Sequence, residues 1–357
     1  MAYTTFAPDD IIEGNVVQGV TSTLFSNNVG SLTAFHTASA QTASDAGVYQ
    51  WELYNADPAS STTAEVQFSV AYGHSKGSGS VKQTGASDGH TPTKAVYSQF
   101  RNLLLDDPTD STNFVDGETD ASERMYFITM NRARFKQGIN AGNWFLHLSG
   151  SAGTYGTGNN PLRLMDDSSI SNGNTVNGHL VYNIVSGSEA NGVFTDGSGN
   201  VHHWGLFYPE LGILAFNGDK LINGSSAGPQ ATNGLQLGGA NSNNSYDEMN
   251  GKLYDALNRG KYFAIRAEED VSSTHYFVRV KNQQYNYSTN HTYQRTGSNG
   301  ELNGQLLHTS FIQNPQTYIT TVGLYNNMNE LLATAKLSKP LLKNFERETT
   351  IRVKLDH

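Results

Sequence analysis

The chain has no cysteine, which excludes disulfide staples, thiolate catalysis and cysteine-ligated metal. It is also poor in charge. Only 15% of its residues are Asp, Glu, Lys or Arg, against about a quarter in ordinary soluble domains. The charge present is unbalanced, with 32 acidic and 23 basic residues and a net charge of −9. Binding a phosphate backbone needs concentrated Lys and Arg, and no basic cluster occurs, so no nucleic-acid partner is expected. No window approaches the roughly 20 apolar residues of a membrane-spanning helix, and no membrane partner is expected. The opening MAYTTFAPDDIIEG has neither a basic start nor an apolar run, so a secretory signal is not expected. Phosphate-binding loops, His-Glu-x-x-His and Gly-x-Gly-x-x-Gly after a strand are missing too. The expectation is a non-enzymatic protein with no catalytic residue, no cofactor and no metal. A carboxylate pair for glycoside cleavage is recognised by spatial separation, which sequence does not give.

Glycine, serine, threonine and asparagine fill the space left by charge, a mixture suited to many short strands joined by tight turns. With 357 residues the chain is long enough for one large β domain or two modest ones. The expected fold is mainly β, an antiparallel β-sandwich or pair of sandwiches with about two short helices and long Gly/Asn/Ser-rich loops. Residues 1–44, polar with apolar patches at Ile11-Ile12, Val16-Val17 and Leu24-Phe25, read as an extended N-terminal arm that docks on a neighbour or packs along its own domain. Residues 45–357 read as the β-rich domain, divided, if into two lobes, near 217–260.

The C-terminal run shows the pattern most clearly. Tyr318 to Tyr325 is built from β-branched and aromatic residues, and Asn326, Asn327 and Asn329 follow where a reversing chain tolerates left-handed backbone. Glu330 to Leu337 reads as the returning strand, which Lys339-Pro340 is expected to stop. In the last strand Ile351, Val353 and Leu355 alternate with Thr350, Arg352, Lys354 and Asp356, giving one dry and one wet face.

Upstream, strands are expected at Gly47 to Tyr54, Ala64 to Tyr72, Arg124 to Met130, Asn143 to Leu148, Val201 to Tyr208, Gly212 to Phe216, Tyr262 to Ala267 and His275 to Lys281. In Ala64 to Tyr72, Val66, Phe68 and Val70 alternate with Gln67, Ser69 and Ala71, predicting one buried face. Asn-Gly pairs at Asn172, Asn177, Asn191, Asn217, Asn223, Asn233 and Asn250, with Asp196-Gly197, mark turns. Thr91 as cap and Pro92 at the first turn begin one helix, carrying Val96, Phe100, Leu103 and Leu104 on one face. Tyr246 to Asn258 makes the second, with Met249, Leu253 and Leu257 four apart.

Few side chains suggest a site. Arg132, Arg134 and Lys136 form the most basic spot in the chain, a candidate interface or an edge strand blunted by charge. The acidic stretch Asp106 to Glu123 lacks the spacing of a calcium loop and reads as a solvated loop. Tyr285, Tyr287 and Tyr293 crowd a polar segment, and tyrosine joins contact area to a hydroxyl, so they are candidate interface residues. His202-His203-Trp204 tempts a chemist, but adjacent histidines on a strand point to opposite faces and cannot jointly hold one metal. Trp204 is a candidate glycan contact, against the ordinary reading of a buried aromatic.

The C-terminal order YITTVGLYN, NELLATAKLSKP and a basic/apolar strand ending in Lys354-Leu355-Asp356 resembles the end of virion structural proteins of large contractile-tailed bacteriophages, the myoviruses including cyanophage-like ones. Tyr276 to Tyr287 with Ser288 and Asn290, Gly205 to Phe216, and Ala71 to Gly79 with Pro92 to Leu105 are similar to the same family. Together these pieces sample the chain from about residue 66 to its end. The resemblance implies a tail or baseplate location after folding in the host bacterial cytoplasm. Its implied partners are other tail and baseplate proteins and symmetry copies of itself. Other classes left open are a tail-fibre module binding host-surface glycan, a head decoration protein and a polysaccharide hydrolase.

Overall fold

In a computed structural model, residues 4–38, 50–79, 92–109, 112–115, 121–150, 161–195, 197–223, 235, 237 and 246–356 are described. The protein is mainly β. In chain order the strands begin with β1 (Ile11–Thr23), β2 (His36–Thr37), β3 (Gln50–Tyr54) and β4 (Val66–His74), followed by helix α1 (Pro92–Leu104). Then come β5 (Phe114–Val115), β6 (Ala121–Ser122), β7 (Arg124–Met130), β8 (Gly138–Leu148), β9 (Leu162–Asp166), β10 (Asn174–Val176), β11 (His179–Ser188), β12 (Gly192–Val193), β13 (His203–Tyr208) and β14 (Ile213–Asn217). Helices α2 (Gly218–Asn223) and α3 (Tyr246–Gly260) precede β15 (Tyr262–Val280), β16 (Gln294–Thr296), β17 (Leu302–Leu306), β18 (Thr317–Tyr325), β19 (Leu331–Lys343) and β20 (Thr349–Asp356).

The chain divides into two compact units, one of residues 19–269 and one of residues 1–18 with 270–357. The division expected near 217–260 therefore falls at 269/270, inside β15. The described residues of the N-terminal segment are shared between the two units. Its first part belongs to the unit formed by the C-terminus, and Leu24, Phe25, Leu32 and Phe35 are core residues of the larger unit. Of the apolar patches in this polar stretch, Leu24-Phe25 is buried while Ile11 and Ile12 stay in solvent.

In the larger unit the antiparallel order is β15-β8-β9-β11-β13-β14-β7-β4-β3-β2. This one sheet supplies both layers of the sandwich by folding over on itself. Phe263 of β15, at one end, and Phe68 of β4, near the other, meet edge to face with ring centroids 5.2 Å apart. The segment joining β1 to β2 stitches the two ends. Leu32 exchanges backbone hydrogen bonds with Phe263 at 2.8 and 2.9 Å, and His36 and Thr37 pair with β3. Helix α3 packs against both β4 and β8, with Met249, Leu253, Ala256 and Leu257 buried in the same core, the one-stripe spacing of an amphipathic helix.

The strands in the middle of this sheet are buried on both faces. Tyr126, Ile128 and Met130 of β7 face the interior, while Met125 and Phe127 face a second cluster under α1. That is why RMYFITM and ILAF read as continuous apolar runs. It also corrects the one-sided reading of β4, whose Gln67 and Ala71 are buried along with Phe68 and Val70. Helix α1 comes close enough to touch backbone because β4 offers a glycine there. A Cβ on Gly73 would lie 2.9 Å from the Tyr97 backbone.

Asn177-Gly178 makes the expected two-residue hairpin turn between β10 and β11, with φ of 51° and 78°. Asn217 and Asn250 do not turn the chain. Asn217 Oδ1 accepts the Lys220 N–H at 3.1 Å and starts α2, a short helix absent from the sequence reading, and Asn250 lies inside α3. Thr91, Asn233, Asp196 and parts of the acidic stretch lie outside the described residues.

The smaller unit is a thin sandwich. Ser273 to Val280 of β15 pair with β20, Tyr276 opposite Val353 and Val278 opposite Ile351. The β18–β19 hairpin packs on them through Val322, Leu324, Ala333 and Ala335. Two expected strands, Tyr262 to Ala267 and His275 to Lys281, are parts of the single strand β15. Pro340 does not end β19 either. Ile319 pairs with Leu341 and Thr321 with Lys336, so the intervening residues bulge out, a position where a proline costs no ladder bond.

Candidate functional site

The side chains singled out in the sequence have very different environments. Trp204 is fully buried in the larger core (0% exposed), and it is not a glycan contact. It is the bulged residue of β13, since Val185 pairs with His203 and Ile184 with Gly205. The extra residue re-aims its indole to the same interior as Phe207. The indole N–H lies 3.4 Å from Ser186 Oγ.

The basic spot is a 3-10 turn, Arg132–Arg134, and not the strand its alternation suggested. Asn131 Oδ1 caps it by accepting the Ala133 N–H at 3.1 Å. Each cation is answered within the larger unit. Arg132 donates to Lys136 O at 2.8 Å and lies 4.5 Å from the Phe135 ring centroid. Arg134 donates to Val66 O at 2.9 Å and to Glu65 at 3.1 Å, and Lys136 pairs with Glu269 at 2.6 Å. Hydrogen bonds from Ser26 first and Arg134 second hold the Glu65 carboxyl below its usual range. These residues fasten a turn.

In the smaller unit the tyrosine segment divides. Tyr293 is buried; it stacks on Phe311 at 5.1 Å and 15° and donates to Asn286 O at 3.0 Å. Burial, and then the neighbouring Tyr287, push its hydroxyl pKa up. Tyr287 stands edge-on to it at 5.5 Å and is 53% exposed. Tyr285 is exposed as well, in left-handed backbone with φ of 54°, and its hydroxyl shares a 2.8 Å hydrogen bond with Thr4.

Lys343 holds this segment in place, a role the sequence did not suggest. Its side chain is buried, and Nζ donates to Asn282 O at 2.8 Å, Asn286 Oδ1 at 2.9 Å and Asn344 O at 2.8 Å. An ammonium has three N–H donors, and all three are used. Burial pushes its pKa down, and the acceptors make the buried charge tolerable.

A second exposed feature is the tip of the β18–β19 hairpin. Asn326 Oδ1 accepts the N–H of Met328 at 2.9 Å and of Glu330 at 2.8 Å, while its amide donates to Glu330 Oε2 at 2.7 Å. Asn329 takes the left-handed conformation, φ 62°. A tip so satisfied is stiff, yet it presents Met328 at 81% and Leu332 at 69% exposure, with Leu331 beside them. On the same hairpin, a Cβ on Gly323 would lie 2.9 Å from the Tyr325 ring and 3.2 Å from Leu331, so the glycine leaves room for that apolar pair. The sequence signal was Leu331-Leu332, since adjacent residues of a strand face opposite ways and one of them had to face outward.

The charge is divided as unevenly as the apolar surface. Residues 1–18 and 270–357 hold nine basic and nine acidic residues. Residues 19–269 hold 14 basic and 23 acidic residues, so the whole net charge of −9 sits there. No helix is long and apolar enough to cross a membrane among the described residues. Among those residues no group of three or more His, Asp or Glu is placed to hold a metal. No protein-family model, no curated protein and no solved structure matches the chain.

Proposed function

We propose that this chain is a non-enzymatic structural subunit of a contractile bacteriophage tail, placed in or beside the baseplate, and that it works by protein–protein assembly. The observation that carries the reading is the stiff β18–β19 tip with Met328, Leu331 and Leu332 in solvent. Exposed apolar residues on an ordered frame are what a docking surface needs, because little conformational entropy remains to be lost when a partner covers them. Tyr285 and Tyr287 supply a second, hydrogen-bonding patch held by the buried Lys343. Copies arranged by symmetry would repeat these contacts, so modest single interfaces become cooperative. The resemblance of the C-terminal run to tail structural proteins supplies the setting.

Immunogold labelling of intact particles of the source phage tests the location, with label expected at the tail tip or baseplate. Label on the head or fibres, or on no particle, overturns it. Leu332→Asp tests the surface. The variant is expected to melt like the parent and to be missing from particles; normal incorporation would show that the tip is not a contact.

A further inference from the structure

One groove of the larger unit is lined by none of Trp204, Arg132, Arg134 and Lys136. It has a volume of about 380 Å³ and lies on the outer face of the β8–β15 pair, at the small end of the roughly 300–1,000 Å³ typical of ligand sites. Alternation places Tyr262, Ala264 and Arg266 of β15 on one face, and Phe145 is the direct cross-strand partner of Ala264. Phe145, Tyr262 and Ala264 belong to a small apolar cluster with Met165 and Val185, so the floor is aromatic and backed by packed side chains. The His147 ring, 4.7 Å from the Tyr262 ring, fixes its tilt.

The walls are polar: Asn143, Ser31, Glu189 and Arg266 line the same groove. Tyr262 has its hydroxyl pKa raised first by burial, then by Glu189, with Arg266 opposing, so both charges act on that hydroxyl. Neither forms an ion pair among the described residues, although both face one cavity. The groove therefore offers an apolar ring surface, an acceptor-only carboxylate, a donor-only guanidinium, and an amide and a hydroxyl that do both.

A pyranose matches that set. Its ring has a C–H face that packs on an aromatic, and a rim of hydroxyls, each donor and acceptor, that uses carboxylate, guanidinium and amide alike. A polyanion does not match, since this unit carries the full net charge of −9. We infer that the groove at Tyr262, Phe145, Asn143, Glu189 and Arg266 is a binding site for a neutral saccharide of one or two rings. This site is separate from the assembly surface and stands whether or not the chain is a tail subunit.

Saturation-transfer NMR on the full chain with glucose, galactose, mannose and N-acetylglucosamine tests it. Transfer to the C–H protons of at least one sugar is expected, with Tyr262→Ala weakening binding about tenfold or more through loss of the aromatic floor. Glu189→Gln and Arg266→Gln change exposed side chains, should melt like the parent, and should each weaken binding severalfold; they decide the matter should Tyr262→Ala fail to fold. Absence of transfer from all four sugars, or transfer that these variants leave unchanged, overturns the inference. So does binding of glycine or inorganic phosphate, and of no sugar, at the groove, which would assign a charged ligand.

Discussion

The two units bury and expose their side chains in opposite ways. The larger one encloses all three tryptophans and a folded-over sheet whose central strands are covered on both sides, and it carries the whole net charge. The smaller one is neutral, has a cluster built on Val322, Leu324 and Val353, and leaves Ile312, Tyr318, Met328, Leu331, Leu332 and Phe345 in solvent. A thick core gives a stable scaffold, and a thin two-layer sandwich leaves many apolar side chains with no interior to enter. The difference is one of core thickness and of how much apolar surface stays in solvent.

The most severe way to break this comparison is to remove residues 1–38, which takes strand and core from both units. Phe25 and Phe35 are core residues, and losing each large aromatic costs about 3–5 kcal/mol against a total of about 5–15. No soluble folded protein is expected by circular dichroism. A folded monomer would show that the segment is an arm after all.

Val353→Asp places an unpaired charge in the thin core, at a cost of about 3–5 kcal/mol. Trp51, Trp144 and Trp204 all lie in residues 19–269, so tryptophan emission reports one unit alone. The parent emission transition is expected to persist in urea while far-ultraviolet dichroism loses strand signal. Loss of both together would mean that the two cores are one cooperative system.

Lys343→Met leaves three acceptors without a donor, for about 1–3 kcal/mol, and should sharpen the same contrast. Chemical shifts of Tyr285, Tyr287 and Tyr293 should move while tryptophan emission stays put. Unmoved tyrosine signals would mean that the segment holds itself.

Acid offers a subtler separation. Burial first, and Arg163 second, push His147 down to about 4, against about 6.5 for a free histidine. Between those values the unfolded chain binds a proton that the folded chain refuses. The contribution is therefore whole above pH 6.5 and is lost as pH falls toward 4. The tryptophan-reported midpoint should drop over that window and drop less in His147→Gln; equal slopes would remove His147 as the cause. The smallest effect on stability is expected from Met328→Asn, within about 0.5 kcal/mol, with loss of particle incorporation as its only marked phenotype.

Much of the strand pattern was legible in the sequence, because alternation and β-branched runs are local. The last strand, the α3 stripe and the Asn177-Gly178 hairpin all lie where spacing put them, whereas α1 buries Val96, Tyr97, Arg101 and Leu104 and leaves the expected Leu103 in solvent. The candidate residues fared differently. Tyr287 is exposed and Tyr293 is its buried support, a distinction that needed the Phe311 stack. Arg132, Arg134 and Lys136 looked like a free basic patch because their partners Glu65, Val66, Glu210 and Glu269 are far away in the chain.

By itself, then, the sequence determined a mainly β protein rich in tight turns, without cysteine chemistry, and with a C-terminus that ends in a strand. These follow from composition and from periods of two and 3.6, which neighbouring residues carry among themselves. Tertiary structure decided which strands are covered on both faces, that Trp204 turns inward at a bulge, and that Pro340 rides a bulge inside a strand. It also decided that Lys343 anchors the tyrosine segment and that Tyr262, Glu189 and Arg266 share one groove. Each of these depends on contacts between residues distant in the chain, and such contacts leave no local pattern to read.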